Sequence, residues 1–184
     1  MPSSAPGAIV DHIPALRRYA RALTGDAWAA DDLVQDTLER GCVKWRLWLA
    51  GSDLRAWLFT VMHNLHANQT RQAARRPAAA AMLDLASAEH LAAAPAGAPE
   101  LALDLQRCLL QLPEDQRAVL LLVTLEDLSY AQVARIMKLP PGTVMSRLSR
   151  ARSRLRTLLD EGGAAPAARE DTVARPVPHL RRLK

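Results

Sequence analysis

Cysteine, glycine, lysine and aromatic residues are all scarce in this chain, and each scarcity excludes something. The two cysteines, Cys42 and Cys108, lie far apart and form no Cys-x-x-Cys pair. Neither a disulfide framework nor a zinc site is expected from them, and a reducing, cytoplasmic compartment is. Aromatics make up 4% of the 184 residues, glycine occurs eight times, and runs of alternating Val, Ile and Thr are missing. Half-buried strands need that alternation, so an all-α chain is expected. Uninterrupted apolar stretches are only a few residues long, too short for a membrane span. Met1 to Asp11 show neither the basic start nor the apolar run of a secretory signal. Of the 24 cations only Lys44, Lys138 and Lys184 are lysine. Arginine's planar fork suits phosphates and base edges, and the net charge of +5 permits a nucleic-acid partner without requiring one.

What is present falls into two helical modules. Between Ala73 and Pro99, thirteen of 27 residues are alanine, with Pro77, Pro95 and Pro99 among them. This stretch has little apolar bulk to bury and reads as an Ala/Pro-rich flexible linker, with room for one short helix around Met82 to Leu91. Gly162-Gly163 opens a basic, disordered tail with Pro166, Pro176 and Pro178. The expected organisation is therefore a module at 10–72, a linker at 73–99, a second module at 100–161 and a tail at 162–184. Residues 1–72 carry eight basic and seven acidic groups, and residues 100–161 nine and eight. Any nucleic-acid contact must then come from local clustering rather than from a basic domain.

Such a cluster lies between Leu128 and Leu159. Ser129 followed by Gln132 is a capping box, opening a short helix from Tyr130 to Met137. Pro140 and Pro141 lack amide donors and end it, and a longer helix is expected from near Thr143 to about Leu159. Two helices around a tight turn, the second rich in arginine, form a helix-turn-helix. On a helical wheel Val144, Leu148, Ala151 and Leu155 share one arc, and Ser146, Ser149, Arg150 and Ser153 share the opposite one. Small hydroxyls and an arginine let a helix enter a major groove and hydrogen-bond base edges. Arg147, Arg152, Arg154 and Arg156 flank that stripe where phosphates would lie. A solvated basic face, or a helix-turn-helix used for protein contact, is the alternative.

In the first module Asp32, Asp36 and Glu39 share one helix face, with Val34, Leu38 and Trp45 opposite. Like charges at i, i+4 weaken a helix by a few tenths of a kcal/mol, so the stripe reads either as a docking face for a basic partner or as ordinary solvated surface. No histidine or second polar cluster accompanies these carboxylates, and no catalytic site is expected. The next helix, about Leu54 to Arg71, has Leu54, Leu58, Val61 and Leu65 as its expected buried stripe. Beside them Trp57, Asn64 and Arg71 recur every seven residues, with Thr60 and Asn68 close by. An aromatic, two amides and a guanidinium on one exposed edge can stack on an unpaired base and read it, with Arg71, Arg75 and Arg76 on the backbone. Core packing of the tryptophan is the competing reading. His63 and His66 stand at a metal-pair spacing, but no further ligands accompany them and no metal or other cofactor is expected.

Taken in order, these segments resemble a bacterial sigma factor of the extracytoplasmic-function (ECF) group of the sigma-70 family. Asp31-Asp32-Leu33-Val34-Gln35-Asp36-Thr37-Leu38 is similar to the segment that docks on the clamp helices of core RNA polymerase. Leu54-Arg55-Ala56-Trp57-Leu58-Phe59-Thr60-Val61-Met62-His63-Asn64-Leu65 is similar to the stretch that melts the promoter and captures a flipped base of the −10 element. Leu112-Pro113-Glu114-Asp115-Gln116-Arg117, Leu128-Ser129-Tyr130 and Gly142-Thr143-Val144-Met145-Ser146-Arg147-Leu148 are similar to the approach to the −35 reader and the start of its recognition helix.

The resemblance implies a transcription initiation factor with no chemistry of its own. Its partners would be core polymerase (clamp helices of the largest subunit and flap region), promoter DNA and an anti-sigma protein, with no membrane contact. It makes Asp32, Gln35, Asp36 and Glu39 polymerase-docking candidates. It makes Trp57, Asn64, Asn68, Arg71, Arg75 and Arg76 the −10 contacts, and Thr143, Met145, Ser146, Arg147, Ser149, Arg150 and Arg154 the −35 contacts. Leu38, Lys138, Met145 and Ser149 depart from the residues frequent in the family at their positions. Two rivals are an independent helix-turn-helix repressor and a sigma-like decoy or adaptor that binds an anti-sigma protein but no promoter.

Overall fold

A computed structural model describes residues 5–44, 53–75 and 100–162, and every regular element among them is a helix. The linker from 76 onward with its expected helix at Met82 to Leu91, the tail beyond Gly162, Trp45 and Arg76 lie outside the described residues. The first module comprises α1 (Ala5–Val10), α2 (Ile13–Thr24), α3 (Ala27–Val43) and α4 (Leu54–Arg75). The second comprises α5 (Glu100–Leu110), α6 (Glu114–Thr124), α7 (Tyr130–Met137) and α8 (Pro141–Gly162).

Local chemistry sets the helix ends. The Asp26 carboxylate accepts from the Ala29 amide at 2.7 Å and starts α3, and Asp53 does the same for Ala56 at 3.0 Å at the head of α4. Between α2 and α3, Gly25 takes a left-handed φ of 77°, and a Cβ there would stand 2.5 Å from the Leu110 side chain. The φ favours glycine, and the Leu110 side chain would have to shift to admit any other residue. The Ser129–Gln132 capping box is formed as the sequence implies, and α7 spans the expected residues. Lys138 closes it in the left-handed region at φ 55°. The following helix starts at Pro141, two residues before the expected Thr143, and ends at Gly162. Proline at the first helical position loses no hydrogen bond and its fixed φ suits the turn, so the second proline begins the helix rather than delaying it.

The core of the first module is Leu16, Tyr19 and Leu23 of α2 against Leu33 and Val34 of α3 and Phe59 of α4, all buried. In the second, Val119 and Leu122 of α6 meet Val133 and Ile136 of α7 and Val144, Leu148 and Ala151 of α8. One correction concerns α4. Its fully buried stripe is Leu58, Phe59, Met62 and Leu65, whereas Leu54 and Val61 are only partly covered. This helix is flanked by α3 on one side and by α7 on another, so its buried arc is wide and rotated from a single-stripe reading.

The two modules are packed together. Helix α2 lies against α5 and α6, α4 lies against α7, and the buried side chains form one continuous core. The polar contacts across the seam are specific. Gln106 Nε2 donates to the Gly25 carbonyl at 3.1 Å, Gln132 donates to Asp53, and Glu114 accepts from Thr70 at 3.2 Å. Arg18 and Arg55 of the first module converge on Glu126, in the turn between α6 and α7.

Candidate nucleic-acid interface

Helix α8 has one buried side and one exposed side. Val144 and Ala151 are fully buried and Leu148 nearly so, which anchors one side on α6 and α7. Met145, Ser146, Ser149, Arg150 and Arg154 are exposed on the far side, and Thr143 is half-buried at its start. Ser146 Oγ donates to the Thr143 carbonyl at 3.0 Å, leaving its lone pairs outward. Arg147 Nη2 sits 3.1 Å from Asp115 Oδ2 of α6, so its guanidinium is positioned along the rim. A shallow depression of about 350 Å³ runs between Tyr130, Met145, Ser149, Arg152, Ser153 and Arg156, polar in its lining.

The polar edge of α4 is less uniform than its heptad spacing implies. Trp57 is half-buried and packed on the core. The exposed stacking surface expected of it is therefore only partial. Asn64 is half-buried, whereas Asn68, Arg71 and Arg75 are exposed. Arg71 Nε donates to the Ala67 carbonyl at 3.0 Å, and Thr60 Oγ to Ala56 at 2.8 Å. On α3, Asp32, Gln35 and Glu39 are exposed and Asp36 is half-buried. Gln35 donates to Glu39 at 3.2 Å and Gln69 of α4 to Asp36 at 3.4 Å, so an amide tempers each of these two carboxylates. The face is acidic and opposite the buried Leu33, Val34 and Thr37.

Between these surfaces lies a set of titratable groups that includes the His63–His66 pair. His66 Nδ1 is 2.8 Å from Glu114 Oε1 across the seam. Burial lowers the His66 pKa, and the Glu114 carboxylate pulls the other way. His63 has its Nδ1 buried without a partner, and burial, reinforced by the nearby His66, pushes its pKa down to about 4. Asp53 is held below the usual carboxylate range chiefly by the Ala56 amide. Among the described residues no group of three or more His, Cys, Asp and Glu could hold a metal. An apolar cleft of about 920 Å³ also opens between the modules, walled by Ile13 and Ala22 on one side and Leu105 and Leu109 on the other. Arg17, Arg18, Arg21 and Arg152 stand at its walls.

Comparison with known proteins assigns both modules. Residues 9–63 match the family described as the Sigma2 domain of PhyR, and residues 102–155 match Sigma-70, region 4. The chain is 39% identical over 166 residues to the ECF RNA polymerase sigma factor EcfG of Rhodopseudomonas palustris, covering 90% of each chain. The chain belongs to the ECF sigma factors of the sigma-70 family. This sigma factor is also 34% identical over 157 residues to SigL of Mycobacterium tuberculosis, covering 83% of this chain and 87% of that one. Its fold matches that of the sigma factor RpoE of Bartonella quintana, solved in complex with the anti-sigma factor NepR. That match has a TM-score of 0.69 and 33% identity, over 84% of this chain and 96% of the other. The acidic α3 segment and the first ten residues of α4 thus lie within the sigma-2 match, and the helix-turn-helix as far as Leu155 within region 4. No helix among the described residues is long and apolar enough to cross a membrane.

The residues that sequence reasoning missed are Glu126, Arg18 and Arg55. No local signal marks them: Glu126 is 108 residues from Arg18 and 71 from Arg55, and only the packed fold brings them together.

Proposed function

We propose that this sigma factor binds core RNA polymerase through the acidic face of α3 and directs it to promoters read at two elements, without catalysing a reaction itself. The likeness to ECF sigma factors over both modules at once carries this reading. Asp32, Gln35, Asp36 and Glu39 meet the basic clamp surface of the polymerase. Asn64, with Asn68, Arg71 and Arg75 beside it, takes an unstacked base of the −10 element, and the half-buried Trp57 forms the wall behind. Ser146, Ser149 and Arg150 read the −35 duplex, while Arg147 and Arg154 hold phosphates. Unstacking a base costs a few kcal/mol, which a fitted pocket offsets. Two modest DNA sites joined through polymerase reinforce each other by effective concentration.

An anti-sigma protein is the expected regulator, and the arginine-lined apolar cleft is the surface it would cover, since its walls come from both modules. The factor acts where polymerase acts, in the cytoplasm. The decoy reading keeps a place because the first module matches a domain described from PhyR. It leaves the five arginines between Thr143 and Leu159 without a role, as the repressor reading leaves the α4 edge.

Run-off transcription with purified core polymerase on genomic fragments separates the three. Promoter-specific product supports the sigma reading, duplex binding without polymerase supports the repressor, and neither supports the decoy. Asn64→Ala is expected to impair promoter opening, read by permanganate reactivity, with core binding unchanged; opening at the wild-type level would remove Asn64 from the site. Arg150→Ala is expected to weaken −35 binding by about 1–3 kcal/mol if it contacts a base. An equal loss on scrambled −35 sequence would assign it to phosphate instead.

A further inference from the structure

Glu126 is fully buried, yet it carries a carboxylate. Both its oxygens are engaged by the other module. Arg18 approaches in a two-pronged fork, Nε to Oε1 at 3.1 Å and an Nη to Oε2 at 2.9 Å, and Arg55 adds an Nη to Oε2 at 2.8 Å. A buried carboxylate with two guanidiniums is tolerated only while both partners stay in place, because each ion would otherwise be left desolvated and unpaired. The contact also fixes direction, since a fork on a carboxylate admits one relative orientation. Asp127, next in the chain, adopts φ 49°, so the turn that presents Glu126 holds a backbone shape seldom taken by residues other than glycine.

The arrangement that these groups hold is incompatible with reading two promoter elements at once. Glu114 and Asp115, neighbours on the first turn of α6, touch His66 of α4 and Arg147 of α8 respectively. Helices α4 and α8, which carry the proposed −10 and −35 residues, therefore both reach the first turn of α6. On duplex DNA the two elements lie roughly 25 base pairs apart, which at about 3.4 Å per step is roughly 85 Å. The 24 residues of 76–99 reach about 80 Å when extended, so with the breadth of the modules added the covalent chain permits the separation. What prevents it is the seam.

We infer that Glu126, clamped by Arg18 and Arg55, is a latch that keeps the free factor closed and must release before both promoter elements are engaged. This rests on the sigma reading above only for the meaning of the closed state; the latch itself is a property of the isolated chain. A factor whose competent form is rare binds core more weakly in proportion to that rarity. Releasing the latch therefore raises apparent core affinity.

The test uses the full chain. Glu126→Gln keeps the shape of the side chain but removes its charge, and Arg18→Gln attacks the same contact from an exposed position on the other module. Both variants are expected to show a radius of gyration by small-angle X-ray scattering several ångströms above that of the wild type. Their helicity should be unchanged by circular dichroism, and their affinity for core polymerase higher by about tenfold. If Glu126→Gln loses helicity, Arg18→Gln alone decides. An unchanged radius in the folded variants overturns the latch, as does a wild-type chain already as extended as they are. A radius that grows while no chain, wild type included, supports run-off transcription leaves the latch standing and removes the sigma reading.

Discussion

Replacing Phe59 with alanine is expected to remove about 3–5 kcal/mol of folding free energy, the range for deleting a large aromatic from a packed core. Phe59 is fully buried and meets the Tyr19 ring edge to face, centroids 5.3 Å apart and planes at 87°. The Arg55 guanidinium lies 5.6 Å from its ring centre, so the ring also supports one arm of the clamp on Glu126. An aromatic pair of this geometry adds about 0.5–1.5 kcal/mol beyond burial alone. The cavity opens between α2 and α4, beside Tyr19, whose buried hydroxyl has no partner. Against a total stability of about 5–15 kcal/mol this loss takes a large share. Urea unfolding of the wild type and Phe59→Ala measures it directly. A difference under 1 kcal/mol would show that the α2–α4 core is far looser than its packing indicates. Because Asn64 lies on the same helix, the variant should also lose promoter opening, in proportion to the folded fraction.

The second large effect is acid sensitivity centred on His63. Its imidazole is half-buried on α4 with Nδ1 fully covered, and its pKa is lowered to about 4 from an ordinary 6.5. Above about pH 6.5 the ring is neutral folded or unfolded and titration costs nothing. As pH falls from 6.5 towards 4 the unfolded chain takes up a proton that the fold refuses, so stability declines through that window. The total from this group is on the order of 3 kcal/mol, at 1.36 kcal/mol per pH unit of displacement. His66 shifts in the same direction, also through burial, and deepens the loss. Urea unfolding at pH 7.5, 5.5 and 4.5 should show the decline in the wild type and a shallower one in His63→Leu. Equal slopes in the two proteins would move the effect to other groups.

How far these features could be read from residue order differs by element. The helix-turn-helix is legible almost completely, because its signals are local: Ser129 and Gln132 cap each other, Pro140 breaks the helix, and Val144, Leu148 and Ala151 recur on one arc. The acidic face of α3 is legible for the same reason. Helix α4 is legible as a helix but not in its rotation. Trp57 sits where the heptad places an exposed edge, yet it packs on the core, because α3 flanks the helix on one side and α7 on another. A wheel assumes one buried side, and a helix caught between two neighbours has a broader one. His63 and His66 match a metal spacing, whereas the fold directs His66 to Glu114 and buries His63 without a ligand set.

Sequence by itself determined that the chain is helical, that it carries two modules of sigma type, and which face of α8 is presented outward. Those properties arise from contacts a few residues apart, where spacing and side-chain chemistry suffice. Only the tertiary structure decided that the modules lie against each other and that a loop glutamate is the buried centre of their seam. Ion pairing between Arg18, Arg55 and Glu126 depends on three backbone segments meeting at one point, and nothing in the order of residues along a chain records that distance.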